Sequence, residues 1–450
     1  MKRLLPTLAA AALLAALASV ATPAGAATGI APATPAREFA PGQVVVKFRG
    51  RRFGRAVELP PRVGVREAAA ALRRSPRVAY AEPDYIATAS TFLPNDTGTV
   101  PATPGFGGDW MQRQWNFLPW QPGTTGALTS PGGIDAVDAW RNLIAAGRPG
   151  AKGVTVAVLD TGIAYRTLGR RPEGGGARFR RSPDFSSKQF VPGYNFVDDN
   201  RLPVDTNGHG THVAGTIAEE TNNGVGLTGL AYKAKLMPVQ VLNSHGRGQA
   251  SGIAKGIRFA TRHGAQVINM SFNFGCGKKV PDVDEALRLA ARKGIVLVAA
   301  VGNLGSETCV SPPATEGGVI GVGGTTEGGC LGSYSLAGEG VDVVAPGGGT
   351  PIAGCPSILS APINQVTLKS HGSPSFGTPS DYIGTSMAAA HVSGVAAMTI
   401  ASGVLGNVSS RSLNNRVTQR LEDTARSIGL PETQQGAGLI DAAQATEPGT

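Results

Sequence analysis

The sequence predicts an α/β protein: a doubly wound, mostly parallel sheet with helices on both faces, preceded by a small α+β domain. Three observations predict it. Six short apolar runs, at 154–159, 235–242, 266–272, 295–301, 319–322 and 341–345, lack strict alternation, as parallel strands buried on both faces do. Between them, 250–263 and 283–293 carry apolar residues at helical spacing, and strand–helix–strand repetition is the pattern of a doubly wound sheet. The composition agrees. Of 450 residues 41% are apolar, enough for a large core, while 63 glycines and 32 prolines against 6% aromatics mark a compact, turn-rich chain.

The chain opens with a leader. Lys2 and Arg3 precede an apolar run at 8–20, and Ala24-Gly25-Ala26 follows as a small-residue cleavage site. Residues 1–26 therefore read as a secretory signal, the run being too short for a comfortable membrane span. No later run is long and apolar enough to span, so no stable membrane anchor is expected after cleavage. Residues 27–40 have the Ala, Pro and Thr content of a linker. Beyond it, 43–48 reads as a strand, 65–74 as a helix with Ala69, Ala70 and Leu72 available to pack, and 78–81 as a second strand. Residues 37–90 thus form a small independent α+β unit, and the Pro-, Gly- and Thr-rich stretch 93–108 is a boundary. The expected organisation is a signal at 1–26, an accessory domain at 27–90 and the main domain at 91–450.

The net charge of +10 invites a nucleic-acid partner, but its location argues against one. Residues 1–90 carry 13 Lys or Arg against 5 Asp or Glu, a surplus of eight, which leaves a surplus of two for the remainder. No nucleic-acid signature is interleaved with the basic residues. Arg170, Arg171, Arg178, Arg180 and Arg181 read as a solvated loop. The four cysteines are Cys276, Cys309, Cys330 and Cys355. An even number in an exported chain implies disulfides. Of the three connectivities, Cys276–Cys309 with Cys330–Cys355 is favoured because each closes a loop of moderate length, for about 3–4 kcal/mol each on the chain-entropy account. Zinc is disfavoured, since no Cys-x-x-Cys pair exists.

Three segments carry chemistry: Val158-Leu159-Asp160-Thr161-Gly162, Asn207-Gly208-His209-Gly210-Thr211-His212 and Gly384-Thr385-Ser386-Met387-Ala388. Ser386 precedes a strongly helical stretch, 387–402, so its N–H and the helix dipole can face a developing oxyanion. Taken alone it would read as an N-cap serine. A histidine near neutral pKa is the usual base for a serine. There are only six, and spacing leaves both His209 and His212 open for that role. His209-x-x-His212 is also half a metal site, but no glutamate follows in the zincin pattern. His391, on the helix after Ser386, reads as structural. Asp160 follows the first apolar run directly, at the carboxyl end of a strand where such sheets carry chemistry. It can orient an imidazole and stabilise its charged form, although an Asp before Thr-Gly is often only a turn residue. Each bland reading is common, but the three together in one chain are not. The order Asp, His, Ser separates this chain from the chymotrypsin and α/β-hydrolase orders.

On these three segments the chain resembles the subtilisin-like serine peptidases, the subtilases, over about residues 37–445. The resemblance implies Asp160, His209 and Ser386 as the catalytic set, and it selects His209 over His212 as the base. Ala299-Ala300-Val301-Gly302-Asn303 is similar to the family segment that ends in the oxyanion asparagine, here Asn303. Two segments, Gly246-Arg247-Gly248 and Ser271-Phe272-Asn273, match the strands between which substrate adds as a further strand, a mode with limited sequence demand. Where the family usually has Ser-Leu-Gly-Gly, this chain has Ser271-Phe272-Asn273-Phe274. Two side chains replace two glycines beside the primary specificity pocket, so a narrowed or reshaped pocket is expected. Ala390 replaces a common proline, which straightens the helix, and 347–382 is longer than usual.

The resemblance implies more. Residues 37–90 are similar to the family propeptide, especially Val78-Ala79-Tyr80-Ala81-Glu82-Pro83-Asp84, an intramolecular chaperone and inhibitor whose tail lies in the active-site groove, with self-cleavage expected near Ser90. Asp184 and the Asn222 loop, Thr221-Asn222-Asn223-Gly224-Val225-Gly226, match places where relatives bind calcium, a structural ion held by oxygen donors. No cofactor is expected for catalysis. The expected protein is a secreted endopeptidase, extracellular or periplasmic, monomeric, acting on protein or peptide substrates and inhibited by its own propeptide. The alternative is a secreted non-catalytic binding protein on a peptidase scaffold, but such proteins usually lose a member of the catalytic set and none is missing here.

Overall fold

The computed structural model describes residues 39–85, 92–99, 109–121, 128–169, 179–305 and 309–448. The signal sequence, most of the linker, Ser90 and Arg170, Arg171 and Arg178 lie outside the described residues. The chain divides into two compact units.

In the first unit a three-stranded antiparallel sheet has the order β2-β1-β3, with β1 at Phe39–Phe48, β2 at Arg55–Glu58 and β3 at Val78–Tyr85. Helix α1, Val65–Arg73, packs on it. Val44, Val46, Val65, Ala68, Ala69, Leu72, Val78 and Ala81 form a separate core. The expected strand–helix–strand pattern is present. The short strand β2 was not anticipated, because Arg-Ala-Val-Glu buries too little for a periodic signal.

The second unit is built on a seven-stranded sheet of order β10-β9-β8-β7-β4-β6-β5. Its strands are β4 Thr155–Asp160, β5 Tyr194–Asn195, β6 Lys235–Gln240, β7 Val267–Met270, β8 Val296–Ala300, β9 Val319–Thr325 and β10 Val343–Pro346. Every pairing within it is parallel. All residues of β7, β8, β9 and β10 are buried. Covering on both faces is why these strands read as continuous apolar runs. All six expected strands are present, most shorter than their apolar runs. The addition is β5, a two-residue edge strand too short to carry a pattern.

Among the described residues six helices of two or more turns complete the unit around the sheet: α2 Ala136–Ala145, α3 His209–Ala218, α4 Ala250–Arg262, α5 Pro281–Arg292, α6 Thr385–Ser402 and α7 Leu413–Thr424. Helices α4 and α5 pack on each other, while α6 packs against α3 and beneath β7 to β10. Helix α6 is buried from Met387 to Thr399 without a polar face, as a helix in the centre of a large core must be. It runs unbroken past Ala390, and it ends where Gly403 adopts φ 81°, a left-handed cap that glycine adopts without strain. A hairpin from the long segment, β11 Thr367–Leu368 with β12 Phe376–Gly377, lies beside α3. Disulfides join Cys276 to Cys309 and Cys330 to Cys355, with Cα separations of 5.7 and 6.2 Å. These are the pairings expected from loop length. Among the described residues no helix is long and apolar enough to cross a membrane.

Candidate active site

The strand order places the chemistry. From β4 the chain goes to β6 and β5 on one side and to β7 through β10 on the other. Ligands of open α/β sheets bind outside the carboxyl ends of the strands at such a switch point. Asp160 is the last residue of β4. Leu159 pairs with Met270 and Met270 with Ala299. Ser271 therefore follows β7 next to Asp160, and Gly302-Asn303 follow β8 beyond it.

Asp160 is fully buried, and its Oδ1 accepts from His209 Nδ1 at 2.8 Å and from the Thr161 N–H at 2.7 Å. His209 begins helix α3 and its side chain stays a quarter exposed. The bond to Asp160 places the imidazole proton on Nδ1 and leaves Nε2 as the basic position. Burial alone would lower the His209 pKa, but the Asp160 carboxylate, and behind it Asp205, outweigh burial and raise it. Gly210 is glycine because a Cβ there would overlap the Gly162 carbonyl and press on Asp160. That close approach is what the His-Gly-Thr-His spacing encodes.

Asp205 was not anticipated. Its carboxylate accepts from the N–H groups of Asn207, Gly208 and Thr211 and from the hydroxyls of Thr161 and Thr211, at 2.6–3.0 Å. It caps the amino end of α3 and ties it to the residue after Asp160. Burial raises its pKa. An aspartate four residues before His209 was the available signal. His212, one turn further, faces inward. It is fully buried, bonds the Ile363 carbonyl through Nε2 at 2.8 Å and stacks on Tyr382 at 4.0 Å. His391 is likewise buried, between the Met387 carbonyl and the Asn116 amide. The long segment that supplies Ile363 and Tyr382 also supplies Thr367, whose hydroxyl donates to the Gly208 carbonyl. It thus braces the start of α3.

Ser386 lies in the first turn of α6 and exchanges two hydrogen bonds with Ser271. The Ser386 hydroxyl donates to the Ser271 carbonyl at 3.0 Å, and the Ser271 hydroxyl donates to the Ser386 carbonyl at 2.8 Å. In this conformation the acceptor of the Ser386 hydroxyl is Ser271, not His209. Asn303 is exposed at the end of β8, and its Oδ1 accepts from the Thr385 N–H and hydroxyl, both at 2.9 Å. Gly384, at φ 146°, leaves room for that amide, since a Cβ would lie 3.0 Å from Asn303 Nδ2. An imidazole held by a carboxylate, a helix-start serine and an amide donor on one sheet edge are the parts needed for acyl transfer.

Gly246, Arg247 and Gly248 form an exposed turn in which Asn243 N–H donates to the Arg247 carbonyl at 2.8 Å. Gly248 must be small because a Cβ would meet the Val241 carbonyl and Leu242. Ser271 is buried, Phe272 half-buried and packed edge-on against Phe274, and Asn273 exposed.

At the expected calcium position the side chains of the two adjacent asparagines meet different partners. Asn222, at φ 64°, accepts from the Asn95 N–H at 3.1 Å. Asp184 accepts from the Asn223 amide at Oδ1 and from the Leu227 N–H at Oδ2, both at 2.8 Å. The two neighbours differ because the left-handed turn at Asn222 directs its side chain to the 92–99 segment. Asp96, not anticipated, accepts from the N–H groups of Asn222 and Asn223 at 2.9 and 3.0 Å. Burial raises the Asp96 pKa to about 6 and those of Asp184 and Glu219 well above the usual range, with Asp96 adding to the shift of Asp184 and both aspartates adding to that of Glu219. Glu219 Oε1 is buried without a partner among the described residues. These are oxygen donors with excess negative charge, the chemistry a hard cation favours. No group of three His, Cys, Asp or Glu side chains among the described residues is arranged to hold a metal ion, so any ion would rest on amide and carbonyl oxygens as well.

Comparisons with known proteins agree with this geometry. Residues 151–438 match the model of the subtilase family, Peptidase_S8. The chain is 33% identical to a thermophilic serine proteinase of Bacillus sp. (strain AK1), over 82% of this chain and 73% of that one. It is 32% identical to thermitase of Thermoactinomyces vulgaris, over 74% of this chain and the whole of that one. A solved structure of a protease from Pseudoalteromonas arctica superposes with a TM-score of 0.59 at 29% identity, covering 79% of this chain and 99% of that one. A catalytic-type constellation on the switch edge of a seven-stranded parallel sheet, with relatives of this similarity along most of the chain, identifies the protein as a member of the subtilase family, a serine endopeptidase of the subtilisin type.

Proposed function

We propose that the protein is a secreted endopeptidase that cleaves protein substrates through an acyl-enzyme on Ser386. The observation that carries this reading is the 2.8 Å bond between His209 Nδ1 and Asp160, which leaves Nε2 basic on the sheet edge that also holds Ser386. Rotation about the Ser386 Cα–Cβ bond turns the hydroxyl from Ser271 toward the imidazole; catalytic hydrogen bonds are often loose before substrate binds. His209 Nε2 takes the hydroxyl proton as Oγ bonds to the substrate carbonyl carbon. Asn303 Nδ2 and the Ser386 N–H hold the oxyanion. The carbon–nitrogen bond then breaks, and His209 gives the proton to the departing amine. Water, deprotonated by the same imidazole, releases the acyl group. The exposed turn at Gly246-Arg247-Gly248 and the segment Ser271-Phe272-Asn273 receive the substrate backbone.

Residues 1–26 direct export and are removed. Residues 27–90 act as propeptide and the peptidase begins near 91. The separate core of the first unit supports an independently folding element. A calcium ion, when bound, would be held by Asp184 and the Asn222 loop, with Asp96 and Asn223 beside it, and would neutralise the buried carboxylates; its role is structural. The test is Ser386→Ala, expressed in a protease-free host. The precursor should accumulate uncut, and a fluorophosphonate that labels the wild type should not label it. Normal processing of the variant would overturn self-cleavage. Failure of the wild type to be labelled would overturn the enzyme reading.

A further inference from the structure

We infer that Asn273 is a specificity-determining residue: its amide occupies the space beside Ser386 that would receive the acyl-side residue of the substrate, and so restricts cleavage to bonds after small side chains. This rests on the catalytic roles proposed above. His209 must protonate the departing amine, so the leaving half of the substrate lies toward α3, on the β4 side of Ser386. The acyl half lies on the opposite side, where β7 and β8 end.

There two segments flank the serine. Residues 271–273 are tied to Ser386 by the paired hydrogen bonds of Ser271. Residues 301–303 are tied to it through Asn303 and Thr385, whose hydroxyl also accepts from the Gly302 N–H at 3.3 Å. A third segment closes the gap between them. The Ser311 N–H donates to the Val301 carbonyl at 3.1 Å, and the Phe274 N–H donates to the Pro312 carbonyl at 2.9 Å. The Cys276–Cys309 disulfide joins the first wall to this third segment covalently. Two walls linked in this way do not spread easily to admit a larger guest.

The side chain of Asn273 stands in the gap. Its Oδ1 accepts from the Gly275 N–H at 3.1 Å, which holds the rotamer. Its Nδ2 lies 3.5 Å from where a Cβ on Gly302 would be, ordinary contact distance across to the opposite wall. Gly302 cannot yield the space by moving inward, because Leu336 Cδ1 lies 2.6 Å from that Cβ position. A methyl or hydroxymethyl group fits beside the amide. A benzyl or isobutyl group would collide with it, and would also strip water from its exposed N–H groups, an unfavourable burial of a polar group. Size and polarity thus discriminate in the same direction.

The test uses mature enzyme and peptide anilides identical except for alanine, serine, leucine or phenylalanine before the scissile bond. Wild type is expected to favour alanine and serine over phenylalanine by about ten-fold or more in kcat/KM, the scale on which a pocket discriminates side-chain size. Asn273→Gly and the milder Asn273→Ala should raise the phenylalanine-to-alanine ratio by about ten-fold or more, chiefly through kcat/KM for the large residue. A wild type that prefers phenylalanine or leucine, or a ratio unmoved in whichever variant folds, overturns the inference. Fluorophosphonate labelling of wild-type Ser386 separates the two readings. Absent labelling sinks the catalytic assignment, whereas labelling with an unchanged ratio sinks only the role of Asn273.

Discussion

Asn303 Oδ1 accepts two hydrogen bonds from Thr385, one from its backbone N–H and one from its hydroxyl, both at 2.9 Å. A backbone N–H can only donate, so the amide orientation is fixed and Nδ2 is the atom that would serve the oxyanion role proposed above. Removing a preorganised donor of this kind costs about 10²–10³ in kcat, a magnitude established on subtilisin. Asn303→Leu should show that loss with KM little changed. Thr385→Val keeps the backbone donor and loses the hydroxyl, so it should lower kcat by a smaller factor, about ten-fold, the worth of roughly one hydrogen bond. Steady-state kinetics on one anilide checks both. Equal losses in the two variants would mean that Thr385 does more than orient the amide.

The pH profile follows from Asp160. Catalysis needs His209 neutral, and its pKa is raised by the Asp160 carboxylate against the lowering effect of burial. Activity should fall as pH drops through that raised pKa, ten-fold per unit below it. Asp160→Asn removes the raising charge and disturbs the tautomer. It should lower kcat by about 10⁴ and move the acid limb to lower pH. A limb that moved upward would contradict the assignment.

Acid stability should depend on His391. Burial lowers its pKa to about 4 and that of His212 to about 3. An unfolded histidine titrates near about 6.5, so below that pH the unfolded chain takes up protons that the folded chain refuses. Stability from this source is intact above the unfolded pKa and is lost progressively as pH falls toward the folded one. The opposite sign holds for Asp96 and Asp135, raised by burial to about 6 and about 7, which bind protons first in the folded state. The comparison of variant with wild type isolates the histidine. Thermal unfolding of His391→Gln between pH 6.5 and 4 should show a slope shallower by up to about 1.4 kcal/mol per pH unit, whatever its stability at pH 7.

Chelation tests the acidic loop. If calcium binds at Asp184, a ligand at a hundred times its Kd stabilises by about 2.7 kcal/mol. Excess chelator should then lower the Tm by several degrees, and Asp184→Asn should abolish the difference. An unchanged Tm in wild type would show that the Asn223 amide and the Leu227 N–H satisfy Asp184 without an ion.

Much of the architecture was legible because parallel strands must be apolar on both faces, and the six runs expected on that ground are six of the seven strands. Helix α2 and strand β5 were missed for different reasons. Ala136–Ala145 does carry a helical pattern, with Ala136, Val137, Ala139, Trp140 and Leu143 buried on one face and Asp138, Arg141 and Asn142 on the other, so it was legible, whereas Tyr194–Asn195 is too short for any period. The disulfides followed from loop length because each pair closes locally. The sequence could not separate the two adjacent asparagines of the acidic loop, because their side-chain directions differ only once the left-handed turn at Asn222 is in place.

The sequence by itself determined the class of fold and the three segments that carry the chemistry, and it favoured one cysteine pairing of three, all consequences of local periodicity, residue type and short loops. Composition and spacing left His209 and His212 equivalent. Tertiary structure distinguished them, since one imidazole meets Asp160 at the rim of the sheet while the other is sealed under Tyr382. The cap supplied by Asp205, the grip of Thr385 on Asn303 and the position of Asn273 between two cross-linked walls were likewise decided only in three dimensions. Each joins segments whose adjacency depends on strand order, and strand order is set by how the whole core packs.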